Sequence, residues 1–193
     1  MTPASGSDLE VRAYRSLEDL TQLLPAWEDL LKAYPLSTTF STWEWLAAWW
    51  RNFAQDKHQE LLALAFFDSG QLVALAPLSI TRHRSAGFSL RLLRLMGDGS
   101  ADSDNLDLPV RPGYEAKFIR ALLGYLQQHK NLWDFAQLNT LPPNSAAGQC
   151  LLGVLQSEGW KSYQFQRDAS AIPLPETWDA YLQQLSGEDQ KNL

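Results

Sequence analysis

Residues 60–80 read ELLALAFFDSGQLVALAPLSI, two apolar runs separated by Asp68-Ser69-Gly70. Turn residues between short apolar, strand-length runs predict a β-hairpin. Pro77 has no amide hydrogen to donate, so the second strand is expected at a sheet edge or bulged near its end. Outward from this hairpin, residues 8–14 (DLEVRAY) alternate as a first strand. Ser16-Leu17-Glu18-Asp19 then opens a helix as a capping box, and Pro25 restarts it, so two short helices in series are predicted. Ser41 with Glu44 signals a further helix, TWEWLAAWWRNF. RHRSAG (82–87) reads as a basic loop, LRLLRLMG (90–97) as a half-buried strand and NLDLPV (105–110) as a resumed strand.

Residues 114–129 carry Phe118, Ile119, Leu122, Leu123 and Leu126 at helical spacing. WDFAQLNTL (133–141) is a predicted strand and AAGQCLLGVLQSEG (146–159) a helix stopped by Gly159. KSYQFQ and SAIPLP are expected as two final strands, and TWDAYLQQ begins one more helix.

The chain has 193 residues, 45% hydrophobic, with a net charge of −6. Such a length favours one domain, and the aromatic content excludes a disordered chain. The negative charge repels phosphate backbones, and no Lys/Arg stripe offsets it, which argues against nucleic acid. No stretch reaches a membrane span and no basic-then-apolar leader is visible, so a cytoplasmic location is expected. The single cysteine, Cys150, lies in a helical apolar pattern and is read as core.

Two features invite functional readings. Trp43, Trp45, Trp49 and Trp50 cover more than one helix face, either as core or with Trp45 and Trp49 as a sugar-stacking platform. The stretch GDGSADSDNLDLPVRPG (97–113) carries Asp98, Asp102, Asp104 and Asp107. As a calcium loop from Asp98 it would need Gly at Ser103 and Glu at Pro109, and it has neither. His58, His83 and His129 show no ligand spacing, so no metal is expected. Asp107 alternates with Leu106 and Leu108, which would put a carboxylate on one strand face. Asp104 and Asp107 are therefore either turn residues on a solvated face or contacts to a substrate.

The order of elements resembles the GNAT acyltransferase superfamily. The blocks TFSTWEWLAAWWRNF, LVALAPL, LRLMGDGSADSDNLDLPV, WDFAQLNTLPPNS and IPLPETWDAYLQQLSGEDQKNL are similar to cellulose-biosynthesis (CelD/BcsL-type) acetyltransferase-like proteins, relatives of the FemAB peptidyltransferases. The resemblance implies an α/β (α+β) fold with a mixed, mostly antiparallel sheet flanked by helices. It further implies a first GNAT-like domain over residues 1–175, with 176–193 starting a helix toward a second half.

The implied function is acyl transfer from acyl-CoA (acetyl-CoA) to an amine or hydroxyl of a saccharide or cell-envelope precursor. The implied partners are that small-molecule acceptor and a second GNAT half or partner chain. A GNAT cradle reads Gln/Arg-x-x-Gly-x-Gly/Ala; the matching segment here is Arg111-Pro112-Gly113-Tyr114-Glu115-Ala116. Arg111 and Ala116 fit, but Tyr114 fills the glycine position, Pro112 lacks an amide hydrogen, and Glu115 brings negative charge to a pyrophosphate site. This half is accordingly expected to bind no cofactor, and its acceptor contacts are expected at Trp45, Trp49, Asp104 and Asp107. The alternative is a non-catalytic GNAT-like binding or scaffold module.

Overall fold

The computed structural model describes residues 9–54, 59–85, 87–98, 103–165 and 174–185. Five strands form one sheet in the order β1-β2-β3-β4-β5: Glu10–Tyr14, Gln59–Asp68, Gln71–Ser85, Phe88–Leu95 and Phe135–Gln137. The first four pair antiparallel and β5 runs parallel to β4. Helices α1 (Leu17–Leu20), α2 (Leu24–Ala33) and α3 (Trp43–Trp49) precede β2, and α4 (Glu115–Gln128) and α5 (Ala146–Ser157) lie either side of β5 in sequence. The mixed, mostly antiparallel sheet flanked by helices is therefore present.

The β2–β3 hairpin turns at Ser69 and Gly70, whose φ values of 50° and 82° are the left-handed pair that a two-residue hairpin turn requires. Both strands are continuous apolar runs because each is buried on both faces. Leu62, Leu64 and Phe66 of β2 pack with Leu78 and Ile80 of β3, Leu93 and Leu95 of β4, and Phe118, Ile119 and Leu122 of α4. Leu61, Ala63, Ala65 and Phe67 face the other way, against Leu20, Leu23, Trp27, Leu30 and Leu46 of the first helical layer.

Several boundaries differ from expectation. Pro77 lies opposite Ala63 in β3, a central strand, and the bulge is in β2 between Phe66 and Phe67. Its carbonyl accepts from Met96 N at 2.8 Å just where β4 ends, so the missing N–H falls at the end of that ladder. Residues 82–85 extend β3, pairing with the start of β4, so the basic segment is largely strand and not loop. The α3 cap is Thr42, whose Oγ1 accepts from Trp45 N, while Ser41 closes a preceding 3-10 turn with Thr38. The α3 helix runs on into a π-helical turn, Trp50–Ala54.

The expected restart at Pro25 is observed: a 3-10 turn (Thr21–Leu23) separates α1 from α2, and Pro25 sits in the first turn of α2.

The chain divides into two compact units, residues 1–161 and 162–193. In the second, α6 (Trp178–Gln184) is capped by Thr177, which accepts from Ala180 N at 3.2 Å, and Trp178 contacts Tyr181. The expected strand at 161–166 is not formed over its described part, 161–165; most of SAIPLP, and Lys191–Leu193, lie outside the described residues. Tyr163 and Phe165 alternate as strand residues do, yet no strand among the described residues supplies a ladder.

Candidate functional site

The acidic stretch leaves the sheet and returns to it. Leu95 is paired with Leu78 and Met96 N reaches Pro77 O. Pairing with β3 then resumes beyond the excursion, where Leu75 N donates to Pro109 O at 2.9 Å and Arg111 N to Val73 O at 2.8 Å, with Ala74 bridging Val110. Gly97, Asp98 and residues 103–108 thus form an excursion from a single lane alongside β3, and only Val110 of the expected strand 105–110 takes part in a bridge. Asp102 lies outside the described residues.

Asp107 is buried, as are Leu106 and Leu108, so the expected one-sided exposure of the carboxylate is not found. Without a regular strand, nothing enforces a two-residue alternation of faces. Tyr34 Oη donates a short hydrogen bond to Oδ2, and Ser145 Oγ (2.7 Å) and Leu108 N (2.7 Å) donate to Oδ1. Burial, and then the carboxylate beside it, pushes the Tyr34 hydroxyl pKa well above the usual tyrosine value. Ser145 is also the N-cap of α5, accepting from Gly148 N at 2.9 Å. The carboxylate therefore clasps the end of α2, the acidic excursion and the start of α5.

Beside this clasp lies a cleft of about 280 Å³ lined by Pro35, Leu36, Ser37, Thr38, Asn105, Pro142 and Asn144. Its three walls adjoin the three clasped segments: Pro35 follows Tyr34, Asn105 precedes Asp107 by two residues, and Asn144 precedes Ser145. The lining offers hydroxyl and amide groups and no formal charge.

The other named residues divide. Trp45 is half-buried, and its Nε1 donates to Ser103 Oγ at 2.9 Å, so the structure joins it to the acidic excursion; Asp104, next along, is exposed. Trp49 is buried, 3% exposed, and offers no open ring face for stacking. Asp98 is buried too, 3.4 Å from Arg94 Nε and accepting from Asn139 Nδ2 at 3.1 Å. Gly97 makes the excursion possible: its φ is +94°, and an added Cβ would lie 3.0 Å from Ser103 Oγ and 3.1 Å from Leu106. Gly97→Ala should cost about 2 kcal/mol through left-handed strain and that overlap, measured as a lower Tm with a shift in Trp45 emission as Ser103 moves.

Three residues of segment 111–116, Arg111, Gly113 and Tyr114, are engaged by the protein itself. Arg111 Nε donates to Leu72 O at 3.0 Å and Nη2 pairs with Asp29 of α2. Gly113, at φ +89°, donates its amide to Glu115 Oε2 at 2.9 Å, and Tyr114 N donates to Arg111 O. Ala116 is exposed in the first turn of α4. Asp68 beside Tyr114 raises that hydroxyl's pKa. Glu115 thus places its carboxylate on a backbone amide just ahead of the start of α4. Two negative charges about 4 Å apart near a protein surface repel by about 4 kcal/mol, against the ~1 kcal/mol a helix terminus contributes.

No protein-family model matches the chain, and no curated protein does. Solved structures are similar to it at low identity. A ribosomal-protein-alanine N-acetyltransferase from Brucella melitensis biovar Abortus 2308 is 15% identical with a TM-score of 0.43, covering 86% of this chain and 99% of its own. An aminoglycoside N-acetyltransferase in complex with CoA is 17% identical with a TM-score of 0.46, covering 89% and 99%. An aminoglycoside acetyltransferase from an uncultured soil metagenomic sample, in complex with sisomicin, is 10% identical with a TM-score of 0.44, covering 86% and 97%.

Tyr34 and Ser145 were not anticipated as site residues. Ser145 carries a visible signal, a serine directly before a helical pattern, whereas Tyr34 reads only as one more apolar position of a helix. Among the described residues no group of three His, Cys, Asp or Glu is placed to hold a metal ion, and no helix is long and apolar enough to cross a membrane.

Proposed function

We propose that the chain is a GNAT-type acyltransferase-like domain that binds an acceptor and does not itself hold acyl-CoA. The observation that carries this reading is the Gly113 amide bonded to the Glu115 carboxylate at the start of α4. The acceptor is a neutral, hydroxyl-rich small molecule of the saccharide or cell-envelope precursor class, seated in the Ser37/Thr38/Asn105/Asn144 cleft, with Trp45 of α3 and Asp104 of the excursion as further contacts. Acyl-CoA would come from a second GNAT half or a partner chain. The clasp residues hold the cleft's walls at fixed separation, and the engaged Arg111 leaves no free guanidinium for a pyrophosphate.

Acetyl-CoA titrated into the protein by calorimetry is expected to give no saturable heat, and a saturable isotherm would overturn the cofactor part of the proposal. Glucose or cellobiose is expected to shift the backbone amide resonances of Asn105 and Asn144. If both sugars leave those resonances unmoved, the cradle observation instead favours the second reading, a GNAT-like scaffold module without CoA or acceptor.

A further inference from the structure

Residues 138–145, between β5 and α5, carry neither helix nor strand, and Pro142 and Asn144 within them form one wall of the cleft. Leu138 and Leu141 pack against the core, and Asn139 turns inward to donate from Nδ2 to both oxygens of buried Asp98, at 3.1 and 3.3 Å. Leu138, Asn139 and Leu141 thus all face inward, which an extended chain with alternating faces does not allow. The turn that permits it is made at Thr140, which is exposed and has a φ of +61°. Two other non-glycine residues among those described have a positive φ. Ser69 belongs to the β2–β3 turn, and Asn105 is of a type that enters this region readily. Thr140 is β-branched, and such a residue stays left-handed only where its surroundings over-determine it.

Both ends of the segment are anchored on buried carboxylates. Asp98, itself 3.4 Å from Arg94 Nε, holds Asn139, and Asp107 accepts from Ser145 Oγ at 2.7 Å. Ser145 N donates in turn to Pro142 O at 3.0 Å. We propose that the Asp98–Asn139 contact is a positioning device: it keeps Thr140 left-handed and so sets the Pro142/Asn144 wall of the cleft before any ligand arrives. Neither Asp98 nor Asn139 lines the cleft, so their effect on a ligand passes through the backbone. A wall already held in its binding shape removes an ordering cost from association, which gives the strain at Thr140 a use. The effect on binding rests on the acceptor proposal, whereas the backbone claim stands by itself.

The test uses the isotopically labelled full chain with Asn139→Ala and Thr140→Asn, alone and combined. The spin couplings that report φ should show Thr140 left-handed in the parent protein and returned to negative φ in Asn139→Ala, with the Asn144 amide resonance displaced. Thr140→Asn should raise the melting temperature by about 3 °C, because asparagine adopts this conformation at lower cost. In the Asn139→Ala background the same change should give no rise, the strain having been released already. Glucose should bind Asn139→Ala about tenfold more weakly than the parent and Thr140→Asn as tightly as the parent. If Asn139→Ala does not fold, Asn139→Ser, too short to span both Asp98 oxygens, carries the comparison. An unchanged Thr140 φ in the variant, equal gains from Thr140→Asn in both backgrounds, or undiminished glucose binding to Asn139→Ala would each overturn the proposal. Glucose failing to bind the parent would overturn the acceptor proposal and the binding role with it, while the φ and melting comparisons still decide the backbone claim.

Discussion

Replacing Asp107 with alanine should lower the stability of the protein by about 3 kcal/mol, or about 10 °C in Tm, because two buried hydroxyl donors lose their acceptor. Tyr34 Oη and Ser145 Oγ both end on this carboxylate, and Leu108 N donates to it as well. The sign of the change discriminates between roles: a carboxylate kept for chemistry at some cost in stability leaves the fold unchanged or firmer when truncated. Urea denaturation monitored by circular dichroism measures it, and a loss under about 1 kcal/mol would refute the clasp. A double-mutant cycle with Tyr34→Phe should show coupling between the two sites, as expected for one shared bond.

The same clasp sets an alkaline limit. The Tyr34 pKa is raised on folding, first by burial and then by Asp107, so the native state holds its proton more tightly than the unfolded chain does. Its contribution is fully present below the ordinary tyrosine pKa of about 10 and declines as pH rises above it. Asp107→Ala removes one of the two causes and should flatten that decline.

Trp27→Ala should cost about 4 kcal/mol, the usual range for emptying a large buried aromatic site. Trp27 is 1% exposed, packs edge-on to Trp43 with centroids 6.0 Å apart, and donates from Nε1 to Ser41 O at 3.0 Å. That bond ties α2 to the 3-10 turn next to Thr38, so the loss should also be read in the cleft as shifted amide resonances over residues 36–41. Trp27→Phe keeps most of the packing and gives up the hydrogen bond, and should cost about 1 kcal/mol beyond the smaller ring's lost contacts. Equal losses in the two variants would show that the indole N–H, and not ring burial, dominates.

The contact from Gly113 to Glu115 is legible in the sequence because it spans only two residues. The acidic stretch is not legible in this way. Asp107 reads as an alternating strand position, yet its partners lie 73 and 38 residues away, and no local pattern encodes that meeting. Trp49 reads either as core or as part of a stacking platform and is buried, since a helix aromatic on two faces does not specify which face the core takes.

The sequence by itself determined the β2–β3 hairpin, the restart of α2 at Pro25 and the amphipathic α4, because turn chemistry, proline and a 3.6-residue period act within a few neighbours. Tertiary structure alone decided that Pro77 lies in a central strand, that residues 109–111 rejoin the lane vacated at Leu95, and that Asp107 is a buried clasp. Each of those depends on which distant segment supplies a missing hydrogen-bond partner, a choice made by packing across the sheet and not by the residues on either side.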